Sequence, residues 1–414
     1  MATIWKKQSQ DALKERVFEA LKQNVSYFDK PVLGVPASYL NEKVFHQDAA
    51  FLRDAPFLSA FLHNPNHIGC HTLGSSESFF KGTHEIEREL IDICAIDILK
   101  SKKGQHDGYV ASGGTEANIQ AIWIYRNYFM QEYGAQLSEI VILCSEDSHY
   151  SMDKASNLLA IDVEKIEVDV DSRKWTKEHL DERIGQIKNK GKQYFIVVSN
   201  MMTTMFGSID DFDVLVDALD QHQVAYEIHI DGAYGGFYYP FANQETRLNF
   251  EHPKITSFTL DAHKMAQSPY GTGIFLIRKG MIHYANTKEA SYVEGEDYTL
   301  SGSRSGANAI SVWMILSKNG PHGWYEKILV LQRRTDWLCQ RLDELEIAYY
   351  RNPYSNIVTI KSDFLTAELA QEYGLVPDNH SNPNWYKIVV MEHVTVDFLE
   401  QFVSQVEQMQ NVFT

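Results

Sequence analysis

The sequence predicts an α/β protein, with a largely parallel sheet in a large domain and a smaller α+β domain at the C-terminus. Three observations predict this. Short apolar runs at Ile140–Cys144, Tyr194–Ser199, Tyr226–Ile230 and Gly273–Ile277 read as buried strands. Charged, helix-favouring stretches such as Lys177–Lys190 and Ile209–Gln221 lie between them, and strands alternating with helices build parallel sheets. After Gly320-Pro321 the pattern changes to one long amphipathic helix, two strands and a terminal helix. The expected divisions are a helical arm over 1–55, a large domain over 56–320 and a small domain over 321–414.

Each element has its own signal. Ile86, Leu90, Ile93 and Ile96 recur at helical spacing, with Thr83 as the expected N-cap. Ser112-Gly-Gly-Thr precedes a second helical run, Ala117 to Gln131. In the last third, a helix is expected from about Gly323 to Glu346, strands at Asn356–Ile360 and Lys387–Met391, and a helix near Val396–Met409.

Composition bounds the function. The chain has 414 residues, 44% hydrophobic and 22% charged, which excludes collagen-like and wholly disordered classes. Lys plus Arg number 38 against 55 Asp plus Glu, a net charge of −17, which argues against nucleic acid and anionic membranes as partners. Four cysteines show no paired short spacing, hence neither a disulfide framework nor a metal-ligand signature. No run of about 18 apolar residues is present, and the first residues lack a signal-like apolar stretch. A cytoplasmic enzyme or binding protein is the expectation.

Four short segments carry the chemistry. Lys264, in Asp261-Ala-His-Lys, stands just ahead of a Gly-bearing turn and an apolar strand, where a lysine can form a Schiff base with an aldehyde cofactor. Asp231 closes an apolar strand and is followed by small residues, Ala233 among them, which let a flat ring lie close. A carboxylate there can keep a pyridine nitrogen protonated. Ser112, Gly113, Gly114 and Thr115 form a glycine-bearing turn before a helix, an arrangement that binds anions. His149 follows a strand end and can stack on a ring. Taken singly, each has a plainer reading as a loop lysine, a capping carboxylate, a tight turn or a surface histidine.

Together the segments resemble the group II pyridoxal-5′-phosphate (PLP) decarboxylases of fold type I, most of all the archaeal L-tyrosine/L-aspartate decarboxylases. Phe80-Lys-Gly-Thr, Ser112-Gly-Gly-Thr-Glu-Ala-Asn, Ser148-His-Tyr-Ser, Asp261-Ala-His-Lys-Met and Gly302-Ser-Arg-Ser-Gly-Ala carry the resemblance. It implies a seven-stranded sheet and a homodimer with shared sites. It implies that Lys264 holds PLP, Asp231 pairs with the ring nitrogen and His149 stacks on the ring. Ser112, Gly113, Thr115 and His263 would lie near the phosphate, and Thr203 near the ring. Gly302 and Ser303 would reach a partner's phosphate, and Arg304 would receive the substrate α-carboxylate. The family usually has glycine where this chain has Met202. The implied reaction is α-decarboxylation of an acidic or aromatic L-amino acid, with Tyr292, or in reserve Tyr298, returning a proton to Cα. His67 and His71 are candidate substrate contacts. Alternatives are another amino acid such as histidine, a lyase for phosphorylated long-chain bases, or aminotransferase-like chemistry.

Overall fold

Residues 4–23, 79–285 and 297–413 are described by the computed structural model. The strands β1 (His106–Ala111), β2 (Ile140–Ser145), β3 (Asp162–Ile166), β4 (Tyr194–Asn200), β5 (Ala225–Asp231), β6 (Ile255–Asp261) and β7 (Gly273–Arg278) form one sheet in the order β1-β7-β6-β5-β4-β2-β3. β3, β2, β4, β5 and β6 pair in parallel, and β7 runs antiparallel to both β6 and β1. β1 therefore points the same way as the parallel strands. Six strands deliver their carboxyl ends to one edge of the sheet.

The strands are apolar on both faces because both are covered. Val141, Leu143, Phe195, Val197, Ile228 and Ile230 belong to one core, and the alternate residues Ile140, Ile142, Ile196 and Val198 to the other. Helices α1 (Gln10–Gln23) and α2 (Lys81–Asp92) pack in the first core. The long α3 (Gly114–Glu132) crosses the second. Between later strands lie α4 (Ser151–Leu159), α5 (Lys177–Asn189) and α6 (Phe212–Gln221). The described part of the expected arm is tied to its own chain. Trp5 is fully buried, and its indole N–H donates to the Leu316 carbonyl at 2.6 Å.

Helix α7 (Gly306–Glu344) breaks once, at Gly320, where φ is +65° and Pro321 follows. A Cβ there would also come within 2.6 Å of the Lys7 Cβ, so both backbone angle and space require glycine. Beyond the break, β8 (Tyr349–Tyr350), β9 (Ile357–Lys361), β10 (Val376–Pro377) and β11 (Trp385–Val389) form a four-stranded antiparallel sheet. With α8 (Ala367–Glu372) and α9 (Val396–Phe413) it builds a separate apolar core around Leu338, Val358, Ile360, Phe402 and Val403.

One sequence expectation is corrected. Thr83 is not the N-cap of α2; the cap position is Phe80, and the Thr83 hydroxyl donates to the Phe80 carbonyl at 3.0 Å. The helix expected from about Gly323 is present as the part of α7 beyond the break at Gly320, and a further segment from Gly306 precedes that break. Cys94, Cys144 and Cys339 are free and buried. No described helix is long and apolar enough to cross a membrane.

Candidate active site

The carboxyl edge of the sheet opens into a cavity of about 350 Å³. Ser112, Gly113, Gly114, Thr115, His149, Thr203, Asp231, Ala233, His263 and Lys264 all line it. Topology explains the convergence. β1 ends just before Ser112, β2 before His149, β4 before Thr203, β5 at Asp231 and β6 before Lys264. Asn200 is paired with Asp231, and Asp231 with Thr259, so the strands end in step.

Asp231 is buried and doubly held. Asn118 Nδ2 donates to its Oδ2 at 2.9 Å, and the Ala233 N–H donates to its Oδ1 at 3.1 Å. The Lys264 amine lies 3.1 Å from Asp261 Oδ2, and His263 Nε2 lies 3.7 Å from the same oxygen. Burial pushes the Asp261 carboxyl upward, against the pull of Lys264 and His263. Burial also pushes the His149 imidazole down, with Asp231 opposing it. Thr203 is buried, its hydroxyl 2.6 Å from that of Ser208. Met202, beside it, has φ +71°, in the left-handed region that favours glycine.

The cradle is fitted to a phosphorylated ring. Backbone passes so closely that a Cβ on Gly273 would lie 2.5 Å from the Gly113 carbonyl carbon. A Cβ on Gly114 would lie 2.8 Å from Asp261 Oδ2. His263 Nδ1 and Asp261 Oδ1 are buried without protein partners, beside the N-terminus of the 19-residue helix α3. Buried polar atoms without partners are uncommon, and here they border the space a bound group would fill. A primary amine, a carboxylate at ring distance from small residues, and a helix N-terminus with glycines form the donor set that PLP needs.

The pyridoxal-dependent decarboxylase conserved domain matches residues 83–349. The chain belongs to that family. It is 50% identical over 402 residues to the tryptophan decarboxylase of Clostridium sporogenes, covering 97% of this chain and 96% of that one. It is 30% identical over 370 residues to a probable L-tyrosine/L-aspartate decarboxylase of Methanocella arvoryzae, covering 86% and 94%. In structure it is similar to the L-methionine decarboxylase of Streptomyces sp. 590, with a TM-score of 0.70, 20% identity and coverage of 96% and 94%. A sphingosine-1-phosphate lyase of Burkholderia pseudomallei also superposes with a TM-score of 0.70, at 17% identity, covering 96% and 87%, and shares the fold.

This decarboxylase is thus a PLP-dependent carboxy-lyase acting on an amino acid. Bound in the cradle, PLP supplies an aldehyde for the substrate amine and an electron-withdrawing ring. Lys264, Asp231 and His149 bring a primary amine, a carboxylate and an imidazole into the lining of that one cavity.

The structure separates other expected residues from this group. The Arg304 guanidinium is buried and bonded to the Glu87 carboxylate and to the Val110 carbonyl, at 3.2 Å for the latter. Glu87 in turn accepts the Val110 N–H at 2.8 Å. Arg304 is not among the cavity's described lining. Gly302 and Ser303 do not line this chain's cavity either; the Gly302 N–H donates to Thr299 Oγ1 at 3.2 Å. Tyr298 is buried, with its hydroxyl 2.8 Å from His283 Nδ1, and is not among the cavity's described lining. Tyr292, His67 and His71 lie outside the described residues.

Sequence reasoning passed over three groups. Asn118 sits one helical turn after Thr115, a spacing that places it on the same face of α3 and marks it for the site. Asp261 was legible inside the lysine motif. Lys387, on β11 of the small domain, had no signal at all. Its amine reaches the Thr204 carbonyl at 3.0 Å, and burial, then the Lys264 charge, push it down. It lines a second cavity of about 960 Å³ with Trp385 and Phe206, and that cavity shares His149, Tyr150 and Thr204 with the first.

Proposed function

We propose that this enzyme removes the α-carboxyl group of an aromatic L-amino acid, L-tryptophan first among them, to give the amine and CO₂. The composition of the cavity wall carries this reading. Its described lining includes Tyr150, Tyr234 and Tyr270 but no arginine, and the basic residue types in it are Lys264, His149 and His263. A second carboxylate on the substrate would have no described guanidinium to meet, whereas a flat side chain has aromatic walls. The 50% identity to a protein named tryptophan decarboxylase supports the same choice.

The half-buried Lys387 amine, which lines the second cavity and bonds to the Thr204 carbonyl, takes the substrate α-carboxylate in this reading, in place of Arg304. His149 covers the bound ring, and Asp231 holds the ring nitrogen's proton. Tyr292 returns a proton to Cα. Two copies assemble, and Gly302 and Ser303 of each serve the other's phosphate.

The test is incubation of PLP-loaded protein with the twenty L-amino acids, read by mass spectrometry for the amine. Tryptamine, with weaker conversion of other aromatic substrates, is expected. Product from aspartate or glutamate alone would overturn the aromatic reading.

A further inference from the structure

Beneath the cavity, a chain of hydrogen bonds runs through three elements. Asn118, on α3, is its centre. Its Nδ2 donates to Asp231 Oδ2 at 2.9 Å and to Ser151 Oγ at 3.0 Å. Its Oδ1 lies 2.9 Å from His229 Nε2. The orientation of this amide is fixed by chemistry. The reverse placement would set a carbonyl oxygen against a carboxylate, both acceptors only.

The direction of every other bond follows. An amide oxygen cannot donate, so His229 carries its proton on Nε2, which also approaches Thr259 Oγ1 at 3.1 Å. His229 Nδ1 then accepts from Ser257 Oγ at 2.6 Å, and Ser257 meets the Tyr125 hydroxyl. At the other end, the Ser151 backbone N–H donates to His149 Nδ1 at 3.2 Å, with Ser151 Oγ at 2.9 Å. His149 Nδ1 is therefore an acceptor, and the ring proton sits on Nε2. His229 is completely buried and stays neutral, pushed down to about 4 by burial against the opposing pull of Asp231. Its other neighbours, Asn118, Ser257 and Thr259, carry no charge.

We propose that Asn118 is a positioning residue for the decarboxylation, oriented by His229, which locks Asp231 and His149 into one directed hydrogen-bond chain. The proposal rests on the PLP site described above. It assigns Asn118 two tasks. One amide hydrogen holds the Asp231 carboxylate aimed at the ring nitrogen. The other, through Ser151, holds His149 in the tautomer whose Nε2–H is free for the cavity. Neither task needs Asn118 to touch substrate.

Three variants test it, each loaded with PLP labelled with ¹⁵N in the ring. PLP binding is read separately, from the visible absorbance of the loaded protein, so loss of the cofactor is distinguishable from loss of positioning. In the parent enzyme the ring-nitrogen resonance is expected to remain that of a protonated nitrogen from pH 6 to 9, about the range where the carboxylate stays charged. Asn118→Asp is nearly isosteric but sets a second carboxyl against Asp231, and two such groups share one proton. Its ring-nitrogen resonance is expected to become pH-dependent. Its kcat is expected to fall about 10-fold or more, as when a supporting hydrogen-bond partner is removed, with KM within about 2-fold. His229→Gln keeps a donor near the Nε2 position and is expected to retain parent-like values; His229→Leu is expected to lower kcat as Asn118→Asp does. An unchanged resonance and kcat in Asn118→Asp would overturn the proposal. Equal losses in His229→Gln and His229→Leu would also overturn it, because orientation by the Nε2 donor would then not matter.

Discussion

Two buried polar clusters flank helix α3, and they are built on opposite principles. At one, the full charges of Arg304 and Glu87 neutralise each other and bracket the Val110 peptide. At the other, the neutral groups Asn118 and His229 feed hydrogen bonds toward one carboxylate, Asp231. The first cluster is closed in that it pairs its two charges within the protein, although the Arg304 Nε is buried without a hydrogen-bond partner. The second is open: it ends on atoms that line the cavity. Motif resemblance alone does not tell these apart, because it marks Arg304 and Asp231 equally. The partners of each side chain do.

The largest effect should come from breaking the closed cluster. Arg304→Met leaves the Glu87 charge buried without its partner, a change that costs about 3–5 kcal/mol of stability. Adding Glu87→Gln removes that charge while leaving an acceptor for the Val110 N–H, so the double variant is expected to regain most of the loss and to keep its activity. Chemical denaturation and the turnover of the double variant check this. A stable double variant with no activity would return Arg304 to the substrate.

The open cluster should instead show itself in the pH dependence of stability. His229 has a folded pKa of about 4 against an ordinary value of 6.5, so its neutral form is favoured by folding. The corresponding stability is present above pH 6.5 and is lost as pH falls toward 4, by about 3 kcal/mol in all. Asp210, pushed up to about 7 mainly by burial, acts in the opposite sense, losing stability as pH rises to 7. The informative quantity is therefore the difference between the parent and His229→Gln. The stability of the parent minus that of His229→Gln is expected to fall steadily from pH 7 to pH 4.5 in urea unfolding; a pH-independent difference would contradict a neutral buried imidazole.

How much of this the sequence revealed depended on the residue. Strands β2, β4, β5 and β7 were legible because apolar runs sit on both faces of a covered sheet. β6 was not, because Thr256, Ser257 and Thr259 are buried polar residues that break the apolar run. Two of them, Ser257 and Thr259, partner His229, so the positions that hid the strand support the site. Lys264, Asp231, His149 and the Ser112–Thr115 turn were legible because chemistry demands those residue types at strand ends. Lys387 was not, because its place is set by how the small sheet meets Thr204, and no local pattern encodes that.

Lys387 sharpens the comparison as a cation that is neither closed off nor part of the directed chain. Lys387→Met is expected to lower kcat/KM for the aromatic substrate by about 10- to 100-fold, the worth of one hydrogen bond to a charged group. Its midpoint of thermal unfolding should stay near the parent's, since a bond to one backbone carbonyl is all the described structure shows it to lose. A parent-like kcat/KM would remove Lys387 from the substrate.

The smallest effect concerns Met202, where the wall of the cavity is strained. Its φ of +71° is unfavourable for any residue with a Cβ, yet its side chain is buried and lines the cavity. Glycine normally lowers stability relative to alanine by roughly 0.5–1 kcal/mol, because it has more freedom to lose on folding. A left-handed backbone reverses that order, since alanine carries a cost of about 1–2 kcal/mol there and glycine carries none. Both Met202→Ala and Met202→Gly lose the packing of the thioether, so that loss cancels between them. Met202→Gly is therefore expected to be the more stable of the two, by about 0.5–1 kcal/mol in the urea midpoint. Alanine at least as stable as glycine would mean that the loop relaxes once the side chain is gone. The strain would then be imposed by the packing of Met202 itself, and not by the turn that carries Thr203.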